Sequence, residues 1–251
     1  MFYKKLAISF LAFAALFFSD SQPQNEVVDK IIKQNINAMG GYENLKYVKT
    51  VLLKGHLKPH SVHLEEGVRH SVTIMLKLPN KIRNEFDFNG EKIILAFNGK
   101  KSWMINYLIG NNKPQDVPED LEISLKETMD FHGPLFEYKE KGNKISLIGK
   151  DRINGNEVYK LKIITKNNDL KYFYIDSSTY LIIKETHIKY KGEKRIVEDH
   201  FRSNYKETNG IVTNFKGRLV IDGKAMVDVL ADKIEINIDL DDSLFERPSA
   251  N

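Results

Sequence analysis

Hydrophobic residues follow a helical period near the start of the chain. Five of them share one face at spacings of three and four residues, and the pair Gly40-Gly41 follows with the backbone freedom that a helix C-terminus uses. These five residues are Val28, Ile31, Ile32, Ile36 and Met39. The spacing predicts an amphipathic helix whose apolar stripe packs against another apolar surface of the protein.

After the helix the period changes to two. Apolar and polar residues alternate in short runs, and the connections between the runs carry turn signals such as Asn89-Gly90, Asn154-Gly155 and Asp222-Gly223, which favour tight hairpins. Consecutive hairpins make an antiparallel meander. The predicted strands span residues 45–57, 70–78, 81–88, 92–97, 101–107, 144–149, 157–164, 171–175, 180–190, 195–205, 211–221 and 225–238.

The alternation stops between Gly110 and Gly142. Pro118 begins a second amphipathic helix with Leu121, Leu125 and Met129 on one side, and the segment "PLFEYKEKG" predicts a shorter helical turn after it. The expected fold class is α+β with β structure dominant. We expect a strongly curved antiparallel sheet whose concave side is closed by the amphipathic helices.

The N-terminus has the features of an export signal. Lys4 and Lys5 precede an apolar run at residues 6–18, and Ser19-Asp20-Ser21 offers the small residues that a signal peptidase recognises. We predict cleavage near Ser21, a single mature domain over residues 22–251, and a periplasmic location. The chain has no cysteine, which excludes disulfides and thiol chemistry and fits an exported bacterial protein.

Charge and motif content exclude several function classes. The 38 basic and 34 acidic residues are interspersed along the strands, which argues against nucleic-acid binding. The sequence contains no His-Glu-x-x-His, no G-x-S-x-G and no G-x-G-x-x-G. We therefore expect no cofactor and no catalytic residues, and we predict that the protein is not an enzyme.

A group of histidines is the main alternative to that prediction. His56, His60, His63 and His70 lie close together in the sequence, and pairing of their strands would allow them to converge on a metal with Glu65 or Glu66. This alternative is a metal-dependent hydrolase. The simpler interpretation is a polar hairpin loop without a metal.

The apolar faces of the strands point to a binding cavity. Ile82, Phe86 and Phe88 share one strand face, and Trp103 or its neighbours Met104 and Ile105 are expected beside them. The face is either an ordinary core or a cavity for an acyl chain under a helical lid. The predicted cavity and lid residues are Ile82, Phe86, Phe88, Trp103, Ile105, Leu121, Leu125 and Met129.

Several segments, in order, resemble the outer-membrane lipoprotein-sorting family, that is, the LolA-like periplasmic lipoprotein carriers and their longer relatives. The segments are "AMGGYENLKYVKT", "KLPNKIRNE", "FNGKKSWMIN", "YFYIDSSTYLIIKE" and "IEINIDLDDSLFERP". The resemblance implies an incomplete β-barrel closed by helices, with a hydrophobic cavity that binds the acyl chains of lipoproteins or other lipids. It also implies membrane-bound donor and acceptor proteins, and we expect a monomer.

One position departs from the family pattern. The family's best-understood carriers have an arginine before the proline of the second strand, where it holds the lid closed, and here Leu78 precedes Pro79. Arg83 is the candidate for that lid-holding role. A non-lipid envelope protein whose concave face docks a partner chain remains a further alternative.

Overall fold

A computed structural model describes residues 21–60 and 68–249 of the chain. The predicted export signal, His63, Glu65 and Glu66 lie outside these residues. Helix α1 spans Ser21–Ala38, α2 spans Tyr42–Lys46 and α3 spans Glu119–Met129. Within the described ranges, no helix is long and apolar enough to cross a membrane.

The strands of the described chain form one antiparallel sheet of thirteen members. Their bounds are β1 Thr50–Pro59, β2 His70–Lys77, β3 Lys81–Phe88, β4 Glu91–Phe97, β5 Ser102–Asn106, β6 Asn111–Gln115, β7 Lys144–Ile153, β8 Asn156–Ile164, β9 Leu170–Asp176, β10 Ile182–Lys191, β11 Lys194–Thr208, β12 Ile211–Ile221 and β13 Lys224–Ile236.

The strand order is β6-β5-β4-β3-β2-β1-β13-β12-β11-β10-β9-β8-β7. Two meanders, β1 to β6 and β7 to β13, are thus joined side by side through the pairing of β1 with β13. The edge strands β6 and β7 do not pair with each other, so the sheet is curved but not closed. The predicted α+β fold class, with a curved sheet and covering helices, is confirmed.

Three local predictions need correction. Strand β6 was missed because its sequence, "NNKPQ", is polar and contains a proline, which an edge strand tolerates. Leu45 belongs to the short helix α2 and not to the first strand. Residues 131–142, which contain all of "PLFEYKEKG", form a series of turns and not a helix.

The inner face of the sheet, defined as the face that α1 and α3 cover, carries two apolar clusters. At one end, Val28, Ile31 and Ile32 of α1 pack on a set of β-strand residues: Leu161, Ile163, Phe173 and Ile175. At the other end, Leu125 of α3 packs on β2 to β5 through Leu76, Ile82, Leu95, Phe97 and Met104. The stripe predicted for α1 is therefore buried as expected.

The outer face of β2 to β5 is covered by the C-terminal segment. Phe245 is fully buried there and packs with Leu52, Met75 and Leu240. Its carbonyl oxygen accepts a hydrogen bond of 2.8 Å from Nε1 of Trp103, which is 1% exposed. Lys77 and Lys81 add ion pairs with Asp242, at 2.7 and 3.0 Å.

Close backbone approach explains one conspicuous glycine. Gly40, with φ 116°, ends α1 next to the turn between β11 and β12, and a Cβ atom at this position would lie 2.1 Å from the carbonyl oxygen of Gly210. A side chain has no room there. Gly40 therefore allows the end of α1 to dock on the sheet.

Candidate functional site on the inner face

A polar cluster lies on the inner face between the two apolar clusters. The strand register places it there, because Glu185 pairs with His200, His187 pairs with Glu198, and paired residues point to the same side of a sheet. Glu185 also pairs with Phe173, which packs under α1. We call this group the inner polar cluster, and its members are Lys171, Glu185, His187, Lys189, Glu198, His200 and Arg202.

A buried ion pair forms one half of this cluster. The Glu185 side chain is 7% exposed, and its Oε1 lies 2.7 Å from Nη2 of Arg202. Its other oxygen, Oε2, lies 3.3 Å from Nε2 of His187. Burial opposes ionisation of Glu185, but the positive charge of Arg202 outweighs it and lowers the pKa from 4.5 to about 2. Glu185 is therefore a carboxylate.

The other half of the cluster reaches the helix above it. Lys189 Nζ lies 3.0 Å from Glu198 Oε2 and 3.0 Å from Glu127 Oε2 of α3. Lys171 Nζ lies 3.9 Å from the second oxygen of Glu127. The neighbouring imidazole of His200, together with Lys189, lowers the pKa of Glu198 to about 2 although partial burial opposes ionisation. These charges connect α3 to β9, β10 and β11.

A cavity of about 200 Å³ opens beside the cluster. His200 and Arg202 lie on its polar side, with Asn214 next to them. The remaining wall is mostly apolar and comes from β1, β12 and β13, through Leu53, Phe215, Leu219, Val229 and Ala231. The cavity is therefore amphipathic, with both polar and apolar residues in its wall.

The structure brings several of the predicted cavity residues together. Ile82, Phe86, Leu125 and Met129 belong to one cluster on the inner face, and Ile82 is completely buried. Phe88 has the same orientation on β3 and lies against His70, with ring centroids 4.5 Å apart. Their role in ligand binding stays a prediction.

Trp103, Ile105 and Arg83 lie on the other side of the sheet. Trp103 and Ile105 pack with Ile94 and Ala96 on the outer face, and Met104 is the residue of β5 that points inward. The predicted facing of β5 was therefore wrong by one position, and an error of one position exchanges the two faces of a strand. Leu121, expected in the lid, is 43% exposed.

Arg83 is occupied by contacts on the outer face. Its Nε lies 2.6 Å from Glu85 Oε1, and its Nη1 donates a hydrogen bond of 2.8 Å to the carbonyl oxygen of Leu244. The guanidinium group also lies over the Trp103 ring, 5.5 Å from its centroid. Arg83 therefore holds the C-terminal segment, and the polar contacts that hold α3 come from Lys189, Lys171 and Ser102 instead.

The histidines singled out by sequence do not converge. His56 pairs with Ser71, whereas His70 pairs with Leu57, so the two imidazoles point to opposite faces of the sheet. His56 Nδ1 lies 2.8 Å from Asp232, and His60 Nε2 lies 3.3 Å from Asp228, while His63 lies outside the described residues. The predicted metal site of the hydrolase alternative is thus not assembled by His56 and His70.

The inner polar cluster was not predicted from the sequence. The signal was the turn at Gly192-Glu193, which fixes the register of the β10–β11 hairpin and sets His187 opposite Glu198. Taken with the alternation on each strand, that register places Glu185, His187 and Lys189 on one face with Glu198, His200 and Arg202. Alternation alone does not say that this polar face is the inner one.

The ion pairs of Glu127 predict how firmly α3 is held. Replacement of Glu127 with glutamine is expected to raise amide hydrogen exchange in Glu119–Met129 by up to about fivefold, because partly exposed pairs contribute up to about 1 kcal/mol. Exchange followed by mass spectrometry measures this. Glu140→Gln, at an exposed position outside the helix, is the control and should leave exchange in α3 unchanged. Equal exchange in both variants would show that Glu127 does not restrain α3.

Comparison with known proteins found structural but not sequence relatives. No protein-family model matches the chain, and no curated protein matches it by sequence. A crystal structure of a DUF1329 family protein from Desulfovibrio piger covers 87% of this chain and 97% of its own, with a TM-score of 0.59 and 14% identity.

Two further solved structures share the fold. One is a domain from Vibrio parahaemolyticus assigned to outer membrane lipoprotein sorting, with a TM-score of 0.55, 13% identity, and coverage of 86% of this chain and 94% of its own. The other is a LolA superfamily protein from Nitrosomonas europaea, with a TM-score of 0.53 and 9% identity. The match covers 87% of this chain and 97% of that protein. The chain therefore shares the fold of these solved structures, a curved half-barrel as the resemblance in its sequence implies.

Proposed function

We propose that this protein is a non-enzymatic carrier of the bacterial envelope that binds the acyl chains of lipoproteins or other lipids on the inner face of its sheet. It acts as a single half-barrel domain in the periplasm after removal of the export signal near Ser21. It receives its ligand from one membrane-bound partner and delivers it to another, towards the outer membrane. The fold shared with lipoprotein-sorting and LolA superfamily proteins supports this proposal.

The packing of α3 on the inner face is the main observation in support of this proposal. Leu125 is 3% exposed and inserts into the apolar cluster around Ile82 and Phe86, whereas Leu121 and Ile123 of the same helix are 43% and 52% exposed. The helix is thus attached through the ion pairs of Glu127, a hydrogen bond of 2.6 Å from Ser102 Oγ to Glu122 Oε2, and the apolar contact of Leu125. An acyl chain replaces that contact without a large loss, because each buried CH₂ group contributes about 0.8 kcal/mol.

Two substitutions on α3 test lipid binding. The protein, purified from a bacterial periplasm, is analysed by native mass spectrometry and by solvent extraction of any bound lipid. We expect a bound lipid or acylated peptide that is lost in Leu125→Asp, because burying a carboxylate against an acyl chain is unfavourable. Ile123→Asp places the same charge at an exposed position of the same helix and should retain the ligand.

The transfer role has a separate test. Cells that lack the protein are fractionated, and the distribution of lipoproteins between the inner and outer membranes is compared with that of the parent. Accumulation at the inner membrane is expected for a carrier. An unchanged distribution contradicts transfer, and a purified protein that carries no lipid from the periplasm contradicts binding itself.

A further inference from the structure

Two histidines and a glutamate of the inner polar cluster come within metal-binding reach of one another. One ring nitrogen each from His187 and His200 and one carboxylate oxygen of Glu198 all lie within 4.8 Å of one another. The residues come from the two strands of a single hairpin, since His187 pairs with Glu198 and His200 follows two positions later on the same face. A rigid hairpin is a good support for a ligand set.

The hydrogen bonding of His187 leaves one ring nitrogen free. Its Nε2 lies 3.3 Å from Glu185 Oε2, and an ionised carboxylate only accepts hydrogen bonds, so Nε2 carries the hydrogen and Nδ1 carries the lone pair. Within residues 21–60 and 68–249, Nδ1 of His187 is buried and has no hydrogen-bond partner. Metal-ligating histidines characteristically have their other nitrogen bonded to a carboxylate in this way.

His200 offers a second buried nitrogen. In the described part of the chain, its Nε2 has no hydrogen-bond partner, and Glu198 Oε2 is 3.8 Å away, which is too long for a hydrogen bond. The rings of His187 and His200 are 4.6 Å apart between centroids. Each imidazole therefore keeps one nitrogen without a protein partner, and both rings lie close to the Glu198 carboxylate, which is an arrangement that a divalent transition metal satisfies.

We propose that His187, Glu198 and His200 form a binding site for a divalent transition metal of the Zn²⁺ class. Zinc–nitrogen and zinc–oxygen distances are about 2.0–2.2 Å, so the three ligands close in by about 1 Å when the metal binds. His200 is 36% exposed and has the freedom to make this adjustment. Three protein ligands leave a fourth position for water or an oxygen ligand, and His200 places the site at the wall of the cavity.

Three nearby cations set the strength of binding. Lys189 lies 3.0 Å from the same Glu198 oxygen and competes with a metal for it, and Lys171 and Arg202 add positive charge to the cluster. Glu127 and Glu185 partly neutralise these charges. When Glu198 binds the metal, Lys189 keeps its ion pair with Glu127 and Arg202 keeps its ion pair with Glu185. Removal of the Lys189 charge should therefore strengthen metal binding.

The test uses Zn²⁺ alone with the purified chain after treatment with EDTA and dialysis. Isothermal titration should give one Zn²⁺ per chain, with at least about tenfold weaker binding in His187→Ala and in His200→Ala. Lys189→Gln should bind Zn²⁺ about tenfold more tightly, because a competing charge is removed. A gain of affinity cannot come from misfolding. The Lys189→Gln variant therefore still tests the site if the histidine variants fold poorly.

Two controls separate this site from the other histidines of the chain. His56→Ala and His132→Ala, at histidines outside the cluster, should leave the affinity unchanged. Cobalt absorption bands of four-coordinate geometry should appear in the native chain and vanish in His187→Ala. The proposal is overturned if no Zn²⁺ binds, if binding persists in both histidine variants, or if His56→Ala abolishes it. None of these outcomes depends on whether the protein carries lipid.

Discussion

Replacement of Phe245 with alanine is expected to lower the free energy of unfolding by about 3–5 kcal/mol, because it removes a fully buried aromatic ring and leaves a cavity behind. The ring packs between Leu52, Met75 and Leu240, and few groups remain to fill the space. Denaturant unfolding monitored by circular dichroism measures the loss.

The same substitution has a spectroscopic consequence. Trp103 is the single tryptophan and is 1% exposed, and its indole N–H donates to the Phe245 carbonyl oxygen. If the C-terminal segment loosens, water reaches the indole and its emission shifts to longer wavelength under native conditions. Tyr47→Ala removes an aromatic ring that is 65% exposed and should change neither stability nor emission. An unchanged midpoint in Phe245→Ala would show that the segment does not stabilise the sheet.

Replacement of Glu185 with alanine is expected to cost about 2–4 kcal/mol of unfolding free energy, because it leaves the Arg202 guanidinium group without its carboxylate partner. The cost stays below that of a fully buried unpaired charge, since the Arg202 side chain is 39% exposed and retains some contact with water. Thermal and urea denaturation provide the measurement.

Two further variants separate the ion pair from simple loss of packing. Glu207→Ala removes an exposed carboxylate from the neighbouring strand β11 and should be close to neutral. The double variant Glu185→Leu with Arg202→Leu replaces both charges with apolar groups and should be more stable than Glu185→Ala, because no buried charge is left unpaired. If the double variant is the less stable of the two, the pair stabilises the fold by itself and the argument from desolvation fails.

Much of the fold follows from local sequence signals. The apolar stripe of α1 predicts a helix and its buried side, because residues three and four apart share a helix face. Asn-Gly and Asp-Gly pairs mark hairpins because their backbones accept positive φ, as at Asn154 and Asp222. Eleven of the twelve predicted strands begin within a few residues of their positions in the structure. The exception is the first, whose early residues form α2.

For a short buried strand, the sequence says less about which side chains point to the inner face. In β5, "SWMIN", every residue but the last is buried, so alternation gives no clue to which side faces inward. The structure turns Met104 to the inner face and Trp103 to the outer one, because the C-terminal segment covers the outer side of these strands and supplies a carbonyl group for the indole. That cover comes from residues about 140 positions away in the chain.

The sequence by itself determined most of the secondary structure, the antiparallel connectivity and the resemblance to a half-barrel family, since each rests on residues near one another in the chain. The register of the β10–β11 hairpin, which brings His187 and His200 close to Glu198, is local as well. Tertiary structure alone decided that this polar face is the inner one and that α3 folds over it, where Glu127 reaches Lys189 across 62 positions. Contacts of this kind depend on curvature and long-range packing, which local patterns do not encode.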